Sequence, residues 1–251
     1  MKKVLLQGRK VSKVFAKGSM KNEVLSQVDV DIYEKDFTII MGSSGAGKST
    51  LLYTLSGMDA VTDGTVIYKE KEISRLKEKE MARIRAEEFG FVFQQTHLVS
   101  NLTLFENIVV AGFVSKKGNT GEIQDRAKHM VSQMGIEKAK NRLPSEVSGG
   151  EAQRAAIARA MIGIPGLLFA DEPTGALNRS HTEEVLNLLT AINDSGQSIL
   201  MVTHDLKAAV RGNRILYLED GKIVDELKLP RYQGVQEREN KLQNWLSELQ
   251  W

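Results

Sequence analysis

Apolar and polar residues alternate over the first third of the chain in the way that predicts β-strands. The clearest case is the stretch V-D-V-D-I at 28–32. The pattern predicts strands at Val4–Phe15, Val24–Tyr33 and Thr65–Tyr68. The run Phe37–Met41 is apolar throughout, as in a strand buried on both faces. A glycine-rich turn, Gly42–Gly47, follows that run, and a helix is predicted over Lys48–Met58.

Farther along the chain, predicted helices alternate with short apolar strands. Helices are expected at Glu78–Glu88, Glu122–Met134, Gly149–Gly163 and Thr182–Asp194. Strands are expected at Phe89–Phe93, Leu167–Asp171 and Ser198–Thr203, and a closing hairpin at Arg214–Leu218 and Lys222–Asp225. Gly118–Gly121 has the composition of a loop. The alternation predicts an α/β fold in which helices cover both faces of a mostly parallel sheet.

The chain changes character after Glu226. Pro230 and Gly234 mark a linker. A final helix follows, with an apolar stripe at i, i+3, i+4 and i+7 formed by Leu242, Trp245, Leu246 and Leu249. The expected organisation is therefore a domain at 1–226, followed by a linker and amphipathic helix at 227–251. Packing of the stripe on its own domain is the favoured interpretation, and docking on a partner protein is the alternative.

Composition narrows the function. The 251 residues carry a net charge of +2, which gives no electrostatic reason to expect nucleic acid as a partner. The absence of cysteine excludes disulfides, thiolate metal sites and thiol catalysis. The N-terminal apolar stretch is too short for a signal-peptide core, and no apolar run approaches the length of a membrane helix. Any role at a membrane is therefore expected to depend on a partner.

The glycine-rich turn is the strongest chemical signal. Residues 42–49, GSSGAGKS, fit the phosphate-loop pattern G-x-x-x-x-G-K-[ST], and they lie between a predicted strand and a predicted helix as the pattern requires. An ordinary glycine turn is the alternative, and this context disfavours it. The residues expected to bind nucleotide phosphates are Gly42, Ser43, Ser44, Gly45, Ala46, Gly47, Lys48, Ser49 and Thr50. Lys48 would reach the β- and γ-phosphates, and the Ser49 hydroxyl would bind Mg²⁺.

Two adjacent carboxylates end the predicted strand Leu167–Asp171. Asp171 and Glu172 are adjacent like charges, and their repulsion is costly unless a cation or a protic group such as water interacts with them. Downstream of a phosphate loop, Asp171 is expected to hold Mg²⁺, and Glu172 is expected to deprotonate or orient the water that attacks the γ-phosphate. A pair of surface acids is the alternative.

A second phosphate-binding helix start is predicted in VSGGEAQRAAIARAM, 147–161. The residues at this start are Ser148, Gly149, Gly150 and Glu151. Backbone N–H groups in the first turn of a helix bind anions. Since the phosphate loop already serves one side of a nucleotide, this start is expected to serve the nucleotide of another subunit.

These motifs, in this order, resemble the nucleotide-binding subunit of an ATP-binding-cassette (ABC) transporter over about residues 2–226. The resemblance implies the fold of a P-loop NTPase of the ABC ATPase type. That fold has a mostly parallel core sheet, an N-terminal antiparallel β subdomain and a helical subdomain at approximately 95–160. It also implies a cytoplasmic ATPase subunit that binds ATP and Mg²⁺.

The resemblance implies roles for three further residues. Phe15 would stack on adenine, Gln94 would contact Mg²⁺ and the attacking water, and His204 would hydrogen-bond the γ-phosphate. A core phenylalanine and a structural histidine are the alternatives for Phe15 and His204. The remaining histidines are expected to be solvated; they are His97, His129 and His181.

Two positions depart from the family pattern. Val147 replaces the leucine that usually precedes the family signature, here SGGEAQR, and Asn178 replaces the aspartate of a loop that crosses the dimer interface. Asparagine keeps the acceptor oxygen of aspartate but loses its charge. Altered coupling between the two nucleotide sites and neutral drift are the two interpretations of Asn178.

The motifs FVFQ, NLTLFENI and ADEPTGALN are similar to those of the family branch that serves macrolide export, lipoprotein release and resistance to bacitracin-type antimicrobial peptides. The resemblance implies a head-to-tail dimer with a second copy around two ATP, coupled to an integral-membrane permease at the cytoplasmic face of the membrane. The alternative is an ABC ATPase that regulates a membrane partner without transport. A phosphate-loop kinase is disfavoured, because a kinase would lack SGGEAQR.

Overall fold

The computed structural model describes residues 2–17, 20–230 and 234–249. Its strands are β1 Val4–Lys17, β2 Met20–Tyr33, β3 Phe37–Met41, β4 Asp63–Tyr68, β5 Lys71–Glu72, β6 Phe89–Phe93, β7 Leu167–Asp171, β8 Ser198–Val202, β9 Arg214–Glu219 and β10 Lys222–Lys228. Its α-helices are α1 Lys48–Leu55, α2 Glu78–Glu88, α3 Leu104–Val114, α4 Thr120–Gln133, α5 Gly149–Met161, α6 Arg179–Asp194, α7 Leu206–Ala209 and α8 Val235–Glu248. Gly18 and Ser19, in the segment that follows Phe15, lie outside the described residues.

The chain divides into two compact units. The terminal unit comprises the chain up to Met81 and again from Ser198 onward, and the central unit is Ala82–Gln197. The terminal unit holds an antiparallel sheet in the order β2-β1-β4-β5. It also holds the strand order β10-β9-β3-β8, in which β3 is parallel to both of its neighbours. All five residues of Phe37–Met41 are buried, which confirms the sequence expectation for β3.

In the central unit, strands β6 and β7 pair in parallel, with Phe93 opposite Asp171. Helices α3 to α6 belong to the same unit, and their apolar faces are buried, for example at Leu104, Ile123, Ile157 and Leu186. The two units together contain the parallel strands, the N-terminal antiparallel sheet and the helical region that the sequence predicts for an α/β ABC ATPase.

Side-chain caps at helix starts account for three differences from the sequence prediction. Helix α3 was not predicted, although Thr103 and Glu106 form a reciprocal capping box at its start. Helix α4 begins at Thr120, inside the predicted loop, because Asn119 and Glu122 form the same device. Helix α6 begins at Arg179, three residues earlier than expected. Side-chain caps set these boundaries more strongly than apolar periodicity does.

The apolar stripe of α8 packs within the terminal unit. Leu242 and Leu246 are buried, and Trp245 is 8% exposed. The Trp245 indole N–H donates to Asp225 Oδ2 at 2.7 Å, and its ring meets Tyr217 edge to face. The interpretation that the stripe packs on its own domain is therefore confirmed. Across the described part of the chain, no helix has the length and apolar character needed to cross a membrane.

Candidate functional site

The glycine-rich loop links strand β3 to helix α1 in the terminal unit, and two of its glycines are required by close contacts. Gly42 has φ 150°, and a Cβ there would collide with the carbonyl oxygen of Leu218. Gly47 has φ 99°, and a Cβ there would lie 2.8 Å from the Val24 carbonyl oxygen. Any other residue would be strained at both positions. The loop is thus held in one conformation by its neighbours.

Lys48, the first residue of α1, lies inside this loop. Its ammonium group donates to the carbonyl oxygens of Gly42 at 3.0 Å and Ser43 at 2.8 Å, and the residue is 8% exposed. In the described structure, no side chain caps the start of α1 and no acid lies in its first turn. A buried positive charge at the start of a helix favours an anion at this position. Ser49 and Thr50 occupy the same first turn, half-buried.

His204 emerges from the same sheet edge as the phosphate loop. Strands β3 and β8 run parallel with Ile40 opposite Val202, and the Thr203 N–H donates to the Ile40 carbonyl at 3.2 Å. His204 is exposed and is followed by Asp205, the N-cap of α7. Carboxyl ends of adjacent parallel strands are where α/β folds bind ligands. The structure therefore gives His204 and the loop one common edge.

Phe15 presents an exposed aromatic ring on β1. The residue is 46% exposed, and the Lys13 ammonium lies 4.9 Å from its ring centroid. Lys13 is itself held by Asp59 at 2.6 Å and by the Ala60 carbonyl at 2.8 Å. The exposed ring is available for stacking, and its cation–π contact is fixed by the ion pair.

The central unit brings Gln94, Asp171 and Glu172 to one edge. Because β6 and β7 are parallel and Phe93 lies opposite Asp171, the residues that follow both strands emerge together. The buried amide of Gln153 on α5 donates to the carbonyl of Phe93 at 2.9 Å and to that of Pro173 at 2.7 Å. Gln153 thus fixes the ends of both strands to each other.

The backbone at Glu172 is strained. Its φ is 45°, in the left-handed region that residues with a Cβ seldom adopt. Such a conformation costs about 1–3 kcal/mol and is concentrated at functional sites. On the facing segment, a Cβ on Gly175 would lie 2.9 Å from the Gln94 side-chain nitrogen, so the Gln94 side chain lies against Gly175. These two features restrict the orientations of Glu172, the predicted base, and of Gln94, which is predicted to contact Mg²⁺ and the attacking water.

Helix α5 begins with a capping box at the predicted second phosphate site. The Ser148 N–H and hydroxyl both donate to Glu151 Oε2 at 2.9 Å, and the Glu151 N–H donates to Ser148 Oγ at 3.2 Å. These hydrogen bonds from Ser148 lower the pKa of Glu151 below its ordinary value. Ser148 and Gly149 are exposed. In this geometry Glu151 orients Ser148.

Asn178 caps helix α6. Its side-chain oxygen accepts from the His181 N–H at 3.0 Å. The ring of His181 packs on the start of α5, where a Cβ on Gly150 would lie 2.6 Å from the imidazole. His181 is therefore half-buried and the expectation that it is solvated is wrong, whereas His97 and His129 are exposed as expected.

Comparison with known proteins decides the family. Residues 25–175 match the family described as ABC transporter. The chain belongs to the ABC transporter family.

Solved ABC cassettes extend that match over most of the chain. Two structures of the ATP-binding cassette MJ0796 are 35% identical, with a TM-score of 0.84; each covers 91% of this chain and 100% of its own. One is a dimer in a post-hydrolysis state bound to ADP and Pi, and the other is a dimeric structure. The cassette CbiO1 from Clostridium perfringens is 25% identical, with a TM-score of 0.79; the match covers 90% of this chain and 89% of that one. That protein is described as part of the transporter complex CbiONQ.

The chain is therefore an ABC ATPase that binds ATP, and the fold predicted from its sequence is confirmed. Gln153 was missed as a site residue, although it lies in the quoted signature. A buried amide in a helix interior carries no sequence signal, because only tertiary packing shows that it joins two strand ends.

The donor chemistry of the predicted metal ligands fits Mg²⁺. Ser49, Gln94 and Asp171 offer a hydroxyl, an amide oxygen and a carboxylate. Mg²⁺ prefers oxygen donors, keeps several waters, and takes few protein ligands beside nucleotide phosphates. Within the described residues, no group of three or more His, Cys, Asp or Glu could hold a metal ion.

Proposed function

We propose that this ABC ATPase works as a head-to-tail dimer, in which each ATP contacts α1 of one copy and α5 of the other. The observation that carries the proposal is the presence of two separate helix starts suited to phosphate on one chain. The MJ0796 cassettes, which are dimeric, support it. The proposed nucleotide-binding domain is 1–226, with its helical subdomain at about 95–160, and 227–251 is the linker and C-terminal amphipathic helix.

The proposed roles follow from the chemistry of each side chain. Glu172 is the general base for the attacking water, and His204 hydrogen-bonds the γ-phosphate. Lys48 neutralises the β- and γ-phosphates, and Phe15 stacks on adenine. The strained backbone at Glu172 supports its role, since a base must point at one water.

Magnesium is the proposed metal. Ser49, Asp171 and Gln94 would hold it with the phosphates of ATP, where the ion would neutralise charge as the γ-phosphate leaves. Among these three ligands, Asp171 at the end of β7 is the anionic one, so it would contribute most to the electrostatic attraction of the ion.

The proposed output is movement of a membrane permease. Closing of the dimer on ATP would drive the permease, and hydrolysis would reset it at the cytoplasmic face of the membrane. The branch similarity in ADEPTGALN favours export of, or resistance to, antimicrobial peptides, with macrolide export or lipoprotein release as related cargo. CbiO1, which is part of a transporter complex, supports a membrane partner.

Replacement of Glu172 tests the catalytic assignment. The Glu172→Gln variant keeps the shape of the side chain but cannot accept a proton. We expect it to bind ATP, to lose at least about 100-fold in ATPase rate, and to elute as an ATP-dependent dimer on size exclusion. Asp125→Asn, which removes an exposed carboxylate on α4, serves as the matched control. Wild-type turnover in Glu172→Gln would overturn the assignment.

Affinity purification of the tagged chain from membranes tests the output. We expect an integral-membrane permease to co-purify, and its identity names the cargo. A partner that has no transport path, such as a cell-division or signalling protein, would replace the transport proposal by the regulatory alternative.

A further inference from the structure

The C-terminal helix α8 carries a buried cation that its apolar stripe does not require. Arg238, in the first turns of α8, is 8% exposed. Its Nε and Nη2 donate to the Val210 carbonyl at 3.0 and 2.7 Å, and Nη2 also donates to the Gly212 carbonyl at 2.6 Å. Its Nη1 donates to the Pro230 carbonyl at 3.0 Å. The guanidinium thus gathers backbone carbonyls from separate parts of the chain.

The position of Arg238 within its own helix is unfavourable. A cation near the N-terminus of a helix opposes the macrodipole of that helix. The long side chain also loses rotamer freedom when it is buried. Charge-assisted hydrogen bonds to several carbonyls offset both costs. The positions of the accepting carbonyls therefore indicate which part of the chain Arg238 stabilises.

The Val210 and Gly212 carbonyls lie at the end of helix α7, whereas the Pro230 carbonyl lies before α8. Val210 is the C-cap of α7, and Gly212 lies two residues beyond it. The last carbonyls of a helix have no partners within the helix and carry partial negative charge, so a guanidinium satisfies them well. Arg238 thus caps α7 from another helix.

The N-terminal end of α7 is capped by Asp205, which directly follows His204. Asp205 caps that end through the Lys207 N–H at 2.9 Å and is itself tied back, through its own N–H, to Thr203 Oγ1 at 3.0 Å. Inside the turn, the Ala209 N–H donates to the Asp205 carbonyl at 2.9 Å. The backbone of one helical turn, with the hydrogen bonds at its two ends, therefore connects Arg238 to the residue next to His204.

We propose that Arg238 is a positioning residue for His204 and that α8 braces the segment that carries this histidine. The inference rests on the role proposed for His204 above. With Arg238 in place, the end of α7 cannot swing, and the backbone at His204 keeps one orientation. Without it, His204 samples orientations away from the γ-phosphate.

The test compares Arg238→Met with Arg238→Lys. Methionine keeps much of the apolar stem and removes every donor, whereas lysine keeps the charge and can reach part of the carbonyl set. The control is Lys241→Met on the same helix, because Lys241 makes only an exposed ion pair with Glu237 among the contacts described. Each variant is assayed for ATPase kcat and KM and for amide hydrogen exchange across residues 203–213.

We expect Arg238→Met to lower kcat about tenfold while KM for ATP stays within twofold, since misplacement of a catalytic group affects the transition state more than nucleotide binding. Amide exchange should rise across 203–213 and stay unchanged in helix α1. Arg238→Lys should recover part of kcat, and Lys241→Met should match wild type. Wild-type kcat and exchange in Arg238→Met would overturn the proposal, as would a general rise in exchange with a matching rise in KM.

The variant His204→Ala separates this inference from the proposed function. If His204 acts on the γ-phosphate, His204→Ala lowers kcat, and adding Arg238→Met to it causes no further loss. If His204→Ala retains wild-type kcat, the role of His204 fails, while the exchange result still reports whether Arg238 braces α7. A further loss in the double variant would show that Arg238 acts by another route.

Discussion

The two helix starts proposed to bind phosphate are built differently. The start of α1 lies in a loop fixed by glycines, with a buried lysine and no acid in its first turn. The start of α5 is closed by the reciprocal cap of Ser148 and Glu151, which adds a carboxylate at that position. The start of α1 provides a buried cation for an anionic group, whereas the start of α5 offers mainly the backbone N–H groups of its glycines. The contrast explains why α5 would need a nucleotide already held by α1 of another copy.

The largest difference is expected when a methyl group is added to the loop before α1 and to the start of α5. Gly42→Ala should lower the free energy of unfolding by at least about 2–3 kcal/mol, because its Cβ meets the Leu218 carbonyl at a positive φ. Gly149→Ala should change it by less than about 1 kcal/mol, since its Cβ makes only an ordinary contact with Leu177 at 3.5 Å. Urea unfolding of both variants measures the difference. Equal losses would mean that the loop is not held by its neighbours.

A smaller effect is expected from the cap of α5. Ser148→Ala should lower the free energy of unfolding by about 1 kcal/mol and reduce the cooperativity of ATP hydrolysis. Thr103→Ala removes the same type of capping box from α3, and should cost a comparable amount of stability while leaving cooperativity unchanged. Thermal unfolding and ATPase titrations test both variants. If both variants lose cooperativity, the loss in Ser148→Ala would be explained by reduced stability alone.

The same cap predicts a pH dependence. The folded-state pKa of Glu151 is lowered by its hydrogen bonds from Ser148, so its contribution to stability is complete above the ordinary value of 4.5. That contribution is lost as the pH falls through the lowered pKa. Glu151→Gln should therefore flatten the acid limb of the stability profile, and an unchanged acid limb would contradict the assignment.

Sequence patterns predicted the phosphate loop well because its chemistry is local. A strand, a glycine turn and a lysine at fixed spacing are sufficient to specify it. Helix α3 was missed although Thr103 and Glu106 announced its start, so the signal was present in the sequence.

Other features had no such signal. The amide of Gln153 between two strand ends and the ring of His181 on Gly150 depend on residues far apart in the chain. The positive φ of Glu172 is a property of the folded backbone. Arg238 is buried by carbonyls from other parts of the chain, which its position in an amphipathic helix does not reveal. Tertiary packing decides each of these, and periodicity does not report it.

Mixed dimers test the shared nucleotide site most directly. Lys48→Ala removes the cation of the phosphate loop, and Gly149→Asp sets a negative charge at the start of α5, where its Cβ has room. Each variant alone should be nearly inactive. Mixed in equal amounts, half of the dimers would hold one intact site, and about a quarter of wild-type ATPase activity should return. Activity no greater than that of the two parent variants would contradict the head-to-tail arrangement.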